Sequence, residues 1–104
     1  MLLLSIETVP GREIERALGL VKGEIVQTKH IGKDILAGFQ TIVGGEIEGY
    51  TEMIVEARKI ATSRMIKEAE SLGADAIIGI RYGSSEIMQG SSEMIAYGTA
   101  VKLK

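Results

Sequence analysis

The apolar positions are most regular between Tyr50 and Leu72, where they predict one long α-helix. Apolar residues recur there at steps of three and four, which places them along one face of a helix with 3.6 residues per turn. Charged residues occupy the opposite face. The apolar stripe is formed by Ile54, Ala57, Ala61, Met65, Ala69 and Leu72, and Ile60 and Ile66 widen it.

The polar face of this helix carries three oppositely charged pairs at helical spacing. Each pair is expected to add only about 0.2–0.5 kcal/mol, so burial of the apolar stripe has to supply most of the stabilisation. The pairs are Arg64–Glu68, Glu56–Lys59 and Lys67–Glu70.

The predicted helix ends at Gly73, because glycine takes the left-handed conformation of a helix C′ position at the lowest cost. Asp75 suits the turn that follows. The stretch 76–80 then predicts a short buried strand, since it is apolar and β-branched without alternation. A helix of this length measures about 33 Å, enough to cross a domain whose expected radius of gyration is about 13 Å.

Three further stretches predict strands, and these are Leu2–Thr8, Leu20–Lys29 and Met94–Leu103. Pro10 and Gly11 indicate a turn after the first of them. Gly23, in the middle of the second, indicates either a bulge or the close approach of another backbone.

The remaining stretches are less regular. The segment 12–18 fits either a helical turn or a polar loop. The segment 31–43 predicts a short helix, which Gly32 and Gly38 weaken by about 1 kcal/mol each relative to alanine, and which Gly44 and Gly45 end. The segment 83–94 contains a small repeat, GSSEIM followed by GSSEM, and predicts an exposed hairpin or loop.

Composition limits the classes of protein to which the chain can belong. Its 104 residues suit a single domain spanning 1–104. A net charge of −2 with both signs interspersed argues against a nucleic-acid surface, which needs a basic patch. The absence of cysteine excludes disulfides and thiolate chemistry. The apolar run Met1–Leu4 is too short for a signal peptide or a membrane span, so we expect a cytoplasmic protein without membrane contact.

The last predicted strand is unusual because neither of its faces carries a charge before Lys102. A helix layer covers only one face of a small sheet, and the other face then meets solvent or another subunit. The hydrophobic content of 45% and the mean hydropathy of +0.18 make a large exposed apolar face expected. Such a face usually marks an interface, so the sequence predicts a homo-oligomer. The small residues Ala96, Gly98 and Ala100 would let another element approach closely.

Two groups of residues were considered as metal ligands. The only histidine, His30, precedes Asp34 by four residues, so both would share one face of a helix, but no third or fourth ligand is evident. A histidine at a helix start that pairs with a carboxylate is the alternative. The acidic residues Glu46, Glu48 and Glu52 could offer oxygen ligands to Mg²⁺ or Ca²⁺, or simply favour the start of a helix through its dipole. The sequence therefore commits no residue to a metal site and names no cofactor.

Arg58 lies among the apolar positions of the long helix. An ion pair with Glu46, Glu48 or Asp75 is one interpretation, and a clamp for the carboxylate of a ligand is the other. Four methionines could in principle offer thioether ligands to Cu(I), but filling of a core or interface is the expected role. They are Met53, Met65, Met88 and Met94.

Several of these stretches together resemble the YbjQ-like family of uncharacterised bacterial and archaeal proteins. The resemblance covers essentially the whole chain and keeps its order, and it is least evident over 83–93. It is carried by Leu2–Thr8, Val9-Pro10-Gly11, Leu18–Gly23, Gly44-Gly45 with Tyr50, Ala57-Arg58, Ile60-Ala61, Leu72–Gly79 and Tyr97–Val101.

The resemblance implies an α+β fold, namely a two-layer α/β sandwich of dodecin-like type. A small, mostly antiparallel sheet would pack on one long helix, with a second short helix beside it. It also implies a ring-shaped homo-oligomer, a pentamer, and brings no catalytic residues. The family is labelled a heavy-metal-binding domain, which fits this chain poorly because soft metals prefer thiolate or thioether ligands.

Three function classes remain open. The first is a ring-forming module that binds a metal ion or small ligand at subunit junctions, and we favour it because rings create shared pockets. The second is a structural or adaptor oligomer without a small ligand. The third, an enzyme using carboxylates and Arg58, is least expected, because a triad would need His30 and no G-x-S-x-G motif exists.

Overall fold

One long helix and a four-stranded sheet make up most of the computed structural model, which describes residues 1–28, 42–43, 46–88 and 90–104. The elements in chain order are β1 (Leu2–Leu3), β2 (Ile14–Thr28), β3 (Ile42–Val43), β4 (Glu46–Ile47), α1 (Glu48–Ser71), β5 (Ala76–Met88) and β6 (Ser91–Leu103). None of the helical segments among these residues is long and apolar enough to cross a membrane.

The four-stranded sheet has the order β1-β5-β6-β2. β6 is antiparallel to both of its neighbours, β5 and β2, whereas the short β1 runs parallel to β5. β3 and β4 form a separate two-stranded ladder just before α1. The fold class is therefore α+β, as predicted, with a small mixed sheet and one helix in the part of the chain that is described.

α1 packs on one face of the sheet through its small residues. Ala61, Met65 and Ala69 are fully buried, and Ala57 is 5% exposed. Opposite them lie apolar residues of the three long strands, namely Val21, Ile77, Ile80, Met94, Ala96 and Ala100. The predicted stripe is thus confirmed in its centre, whereas its two ends, Ile54 and Leu72, remain nearly half exposed because they lie toward the ends of the helix.

The small residues of β6 serve the core of the same subunit. Ala96 and Ala100 are fully buried in the cluster under α1. Gly98 has no room for a side chain, because a Cβ there would lie 2.8 Å from Ile77 Cγ2 and 2.9 Å from the carbonyl oxygen of Ile78. These small residues therefore allow α1 and β5 of the same subunit to pack closely against β6.

Gly23 is the point at which α1 comes nearest to β2. A Cβ at this position would overlap the Ala61 carbonyl oxygen and the Met65 amide nitrogen, and would lie 2.8 Å from Arg64 Cβ. The Arg64 guanidinium also donates a hydrogen bond to the Glu24 carbonyl oxygen at 2.5 Å. The close approach predicted at Gly23 is thus confirmed, and Arg64 makes this contact instead of the predicted pair with Glu68.

Gly73 ends α1 as predicted. Its φ is +77°, its amide donates to the Glu70 carbonyl oxygen at 3.0 Å, and the Ala74 amide donates to the Ala69 carbonyl oxygen at 3.1 Å. These two bonds form a Schellman motif, which satisfies helix carbonyl groups that would otherwise lack donors.

The N-terminal segment covers part of the opposite face of the sheet. After β1, the Leu4 amide donates to the Ile77 carbonyl oxygen at 2.9 Å, and the Gly79 amide donates to the Ile6 carbonyl oxygen at 2.8 Å. A second apolar cluster forms beneath this segment from Val9, Ala76, Ile78, Val101 and Leu103, with Leu4 packed against it. The regular strand is therefore limited to Leu2–Leu3 of the predicted 2–8, although irregular hydrogen bonds to β5 continue as far as Ile6 before the chain reaches the opposite face at Val9.

Three other predictions need correction. Most of 12–18 belongs to β2, since pairing with β6 decides its conformation despite its polar composition. The last two residues of the predicted helix 31–43, Ile42 and Val43, form β3, which suits their β-branched side chains; the rest of that helix lies outside the described residues. The connector 46–49 instead forms β4 and the start of α1.

The repeat at 83–94 forms the predicted hairpin, with strands longer than expected. β5 continues to Met88 and β6 begins at Ser91, so the two copies of the repeat lie antiparallel to each other. Ser85 faces Glu93 across the ladder, and Glu86 faces Ser92. The described part of the subunit is consequently elongated, with extents of 53 × 25 × 16 Å and a radius of gyration of 17.0 Å, well above the expected value of about 13 Å.

Asp75 joins the start of β5 to the end of β6. Its carboxylate accepts a hydrogen bond from the Leu103 amide at 2.9 Å, and the Lys102 ammonium lies 3.4 Å from its other oxygen. The Leu103 hydrogen bond is the main cause that lowers the pKa of Asp75 below its ordinary value of 3.8. Burial opposes this effect, and the hydrogen bond and charge of Lys102, with the charge of Arg12, add to the lowering. The partner of Asp75 is thus Lys102 and not Arg58.

We expect Gly23→Ala to destabilise the protein by roughly 2 kcal/mol, because the added methyl group forces α1 away from β2. Urea unfolding would measure the change, and Lys22→Ala, at an exposed position of the same strand, is the matched control. An unchanged midpoint for Gly23→Ala would show that α1 does not lie against β2 at this residue.

We expect Asp75→Asn to lower stability at neutral pH and to have no effect at about pH 2. The folded-state pKa of Asp75 is lowered, so its stabilisation is present above the unfolded value and is lost as the pH falls through the folded value. Urea midpoints of wild type and variant, measured from pH 7 downward, should therefore converge below about pH 3.8. A constant difference over this range would contradict the role given to the carboxylate charge.

Candidate functional site

The structure does not bring the considered metal ligands together. His30 and Asp34 lie outside the described residues. Glu46 is in β4 and Glu48 is the first residue of α1, and only their backbone is described, whereas Glu52 is exposed on the helix. Within the described residues there is no group of three or more histidine, aspartate or glutamate side chains that could hold a metal ion.

Arg58 is exposed on α1 rather than buried among the apolar positions. One turn further along the same flank of the helix, the Thr62 hydroxyl lies 2.9 Å from the Tyr82 hydroxyl of β5. The contact that the structure records at Arg58 is with its backbone, whose carbonyl oxygen accepts a hydrogen bond from the Thr62 hydroxyl at 2.7 Å. A role as a carboxylate clamp would need a second subunit or a ligand at this exposed flank of α1.

The methionines fill space in different ways. Met65 is fully buried in the core and Met94 is 7% exposed, so the predicted filling role is confirmed for both. Met88, near the turn of the hairpin, is 65% exposed. Met53 lies on the first half of α1, where it lines a cavity together with Met94.

This cavity, which we call the distal cavity, is the candidate site. Its volume is about 440 Å³, and it lies between the first half of α1 and the part of the sheet next to the β5–β6 turn. The helix contributes Met53, Ile54 and Ala57 to its lining. The sheet contributes Gln27 from β2, Ser84 and Glu86 from β5, and Ser92 and Met94 from β6.

The strand register explains which side chains face this cavity. Met94 lies in the cluster under α1 and is paired with Ile25 on one side and Ser84 on the other. Two residues further along, Ser92 is paired with Gln27 and Glu86. Because side chains alternate between the faces of a sheet, all of these residues point toward α1.

Small side chains at two inward-facing positions of β5 and β6 contribute to the open space near the hairpin turn. Nearer the other end, Met65 and Ile77 fill the space between helix and sheet. Toward the turn, the corresponding positions of the sheet are Ser84 and Ser92, whose side chains are too small to reach the helix. The repeat thus supplies an inward-facing serine on each strand, and the core is left open at this end.

Gln27 is the polar residue that the packing does not satisfy. Its Oε1 atom is shut off from solvent and has no hydrogen-bond partner among the residues that the structure describes. A buried acceptor without a donor typically costs 1–3 kcal/mol. Such a group is expected to be retained where a ligand supplies the missing donor.

Sequence reasoning did not identify this cavity, although two signals for it were present. The repeat was assigned to an exposed hairpin, and its inward-facing serines were not recognised as a gap in the core. Gln27 could have been placed on the inner face by counting in steps of two from Val21, a fully buried residue of the same strand.

Comparison with known proteins gives matches over the whole chain. Residues 1–104 match the model of the YbjQ-like family, whose description is "Putative heavy-metal-binding". A "UPF0145 protein" from Thermotoga petrophila is 61% identical over 104 residues, covering 100% of this chain and 98% of that protein. A "UPF0145 protein" from Vibrio campbellii is 58% identical over 103 residues, with 99% of both chains covered.

A solved structure has the same fold. It is the crystal structure of a protein of unknown function from Pediococcus pentosaceus, assigned to the DUF74 family. Its TM-score with this chain is 0.70, with 17% sequence identity, and the match covers 100% of this chain and 98% of that one. At this identity the likeness concerns the fold alone.

We expect Gln27→Met to stabilise the ligand-free protein by about 1 kcal/mol, since it removes the unpartnered acceptor and fills part of the cavity. Thermal or urea unfolding of the purified protein would measure the change. Ser92→Ala, on the neighbouring strand, is the matched control and should shift the midpoint much less. A destabilised Gln27→Met variant would show that Gln27 has a structural hydrogen bond.

Proposed function

The chain belongs to the YbjQ-like family, and from this premise we propose that it is a cytoplasmic, ring-forming homo-oligomeric binding protein. The proposed ring is a pentamer that holds a small ligand or a metal ion at or near its subunit junctions. Its assembly is supported by one observation above all, namely the apolar side chains that the subunit leaves exposed on the face of the sheet opposite α1.

This face is covered only in part by the described residues of the same subunit. The N-terminal segment reaches the half of the sheet that contains Val9 and Val101. Beyond it, Leu20 is 67% exposed, Val26 is 58% exposed and Tyr97 is 40% exposed. Leu20 and Tyr97 lie diagonally across the β2–β6 ladder, because Leu20 is paired with Thr99. Leu20 and Tyr97 together form an exposed apolar surface that we call the outer patch, and the Lys22–Glu24 ion pair separates it from Val26.

The accessible area of the chain also supports association. A compact monomer of 11.2 kDa is expected to expose about 5,700 Å². This chain exposes 6787 Å², about 1,100 Å² more. A standard protein–protein interface buries about 800 Å² on each partner. The excess is thus of the size that contacts with neighbouring subunits would bury.

The edges of the sheet favour a ring over a simple twofold dimer. β2, with 15 residues, lies at one edge, and within the described residues it pairs with β6 alone. At the other edge, β1 pairs only with Ala76 and Ile77, so β5 from Arg81 onward has one described neighbour. Two different edges suit a head-to-tail contact, and such contacts form rings when the rotation closes. Pairing the edges would also remove the tendency of exposed strands to aggregate.

The binding role is supported by the distal cavity and by the unsatisfied Gln27 within it. A ring without any ligand, serving as a structural or adaptor oligomer, would need neither feature. Zinc-type chemistry receives no support, because the chain has no cysteine and the described residues contain no cluster of three ligands. An oxygen-rich site for a small ligand is therefore favoured over a site for a soft heavy metal.

We expect the wild-type protein to assemble. Leu20→Glu should raise the concentration at which the assembly dissociates by at least about tenfold, because a leucine buried at each subunit contact is replaced by a charge. Light scattering behind a sizing column, together with native mass spectrometry of protein purified without chelator, would report subunit number and any retained ligand. Lys67→Glu, on the exposed side of α1, is the matched control.

Leu20 is exposed in the subunit, so Leu20→Glu should keep the fold, and far-UV circular dichroism would verify this. A wild-type protein that is a well-folded monomer at micromolar concentration would contradict the proposed assembly. An assembled ring that retains no ligand would instead favour the structural or adaptor role.

A further inference from the structure

The chemistry of the distal cavity is specific enough to name a class of ligand. We propose that it binds a small aliphatic amine in its ammonium form, with the ammonium group held over Ser92 between Gln27 and Glu86. This inference deepens the binding role proposed above and rests on it, but the site lies within one subunit and does not need the ring.

Three acceptors lie in one row across the sheet. Ser92 is in the middle, on β6, and its cross-strand partners are Gln27 on β2 and Glu86 on β5. Neighbouring strands lie about 4.8 Å apart, so the backbones of Gln27 and Glu86 are separated by about 10 Å. A group placed over the small Ser92 side chain can therefore be reached by the longer side chains from both sides.

This row matches the donors of a primary ammonium group. An ammonium nitrogen has three N–H donors and no acceptor. The row offers the Gln27 carbonyl oxygen, the Ser92 hydroxyl and the Glu86 carboxylate, which is one acceptor for each donor. The Gln27 Oε1 atom is already removed from water in the folded subunit. Ligand binding therefore does not have to supply the free energy of its desolvation.

The charged side chains that line the cavity have a single sign among the described residues. Its lining contains two glutamates, Glu86 and Glu93, and no lysine, arginine or histidine. By alternation, Glu86 is the one of these two carboxylates that points toward α1. On the first half of α1, the exposed acids Glu52 and Glu56 lie near the lining, and the exposed cations Arg58 and Lys59 follow Ala57. The carboxylates of the lining itself disfavour an anionic ligand.

The size and the apolar lining favour an organic cation over a metal ion. A volume of about 440 Å³ is within the range of small-molecule sites, and is much larger than a single ion requires. Met53, Ile54, Ala57 and Met94 form an apolar wall beside the row of acceptors. An alkyl chain attached to the ammonium group would lie along this wall, and the unbranched methionines can adapt to chains of different length.

The test compares three probes that share one alkyl chain. n-Hexylamine, which is an ammonium ion at neutral pH, 1-hexanol and hexanoate are titrated into the assembled wild-type protein by calorimetry, with Mg²⁺ and Zn²⁺ in separate runs. We expect saturable binding of n-hexylamine, binding of 1-hexanol at least about tenfold weaker, and no binding of hexanoate, because a charge-assisted hydrogen bond is lost or replaced by repulsion.

Variants locate the site. Gln27→Met and Glu86→Gln should each weaken n-hexylamine binding about tenfold or more, whereas Glu24→Gln, at an exposed carboxylate of β2 that does not line the cavity, should leave it within about twofold. Gln27→Glu should strengthen it, since a second carboxylate then faces the ammonium group. Glu86 is exposed, so Glu86→Gln keeps the fold, and unfolding curves of all variants verify this.

Several results would overturn the inference. They are equal binding of n-hexylamine and 1-hexanol, no binding of n-hexylamine, or saturable binding of a divalent ion that Glu86→Gln abolishes. Repeating the titration with Leu20→Glu separates this inference from the proposed assembly. If the dissociated Leu20→Glu subunit binds n-hexylamine as well as wild type does, the site is supported independently of the proposed ring. If binding is lost together with the ring, a site within one subunit is contradicted.

Discussion

The close contact between α1 and β2 at Gly23 determines how the rest of the subunit is built. Without a side chain at Gly23, the backbone around Ala61 and Met65 can lie directly on the strand. The alanines of the stripe keep the helix close to the sheet along this side, and the core between the two layers is accordingly thin. Side chains that fill such a core are few, so each change of residue volume along the helix has a direct effect on packing.

The distal cavity follows from this arrangement. Where the helix stripe meets Ile77 and Val21, the two layers are in full contact. Toward the hairpin turn, the sheet presents serines to the helix, and the helix no longer has an alanine in contact with the strands beyond Ala57. The same geometry that excludes any side chain at Gly23 therefore leaves space one helix segment away. The cavity is lined by the helix and the three long strands, and the small hydroxyl side chains on β5 and β6 contribute to its space.

Local rules predicted the parts of the fold that depend on single residues. Gly73 ends the helix because a left-handed residue is required there, and Gly23 marks a close approach because any Cβ would collide. The parts that depend on distant pairing were not predictable in the same way. The polar stretch 12–18 becomes a strand only because β6 is available beside it, and the segment after β1 crosses the sheet because Val9 has a second apolar cluster to join. Among the candidate site residues, the sequence emphasised charge at Arg58 and Glu52, which the fold leaves on the surface, and passed over Gln27, whose importance lies in the absence of a partner.

The donor atoms of the described residues also bear on the heavy-metal description that this family carries. Soft metals require thiolate or thioether ligands, and the sulfur atoms of this chain belong to methionine alone. Of these, Met65 is fully enclosed by the core, and Met94 lies against the helix at 7% exposure. Met53 and Met94 both line the distal cavity, but beside them stand oxygen groups, namely the Gln27 amide, the serine hydroxyls and the Glu86 carboxylate. A site with this composition selects for a cation that donates hydrogen bonds to oxygen and tolerates an apolar wall, which describes an alkylammonium ion better than it describes Zn²⁺ or Cu⁺. The proposed binding therefore depends on the hydrogen-bond donors and the charge of the ligand, and not on metal–sulfur coordination.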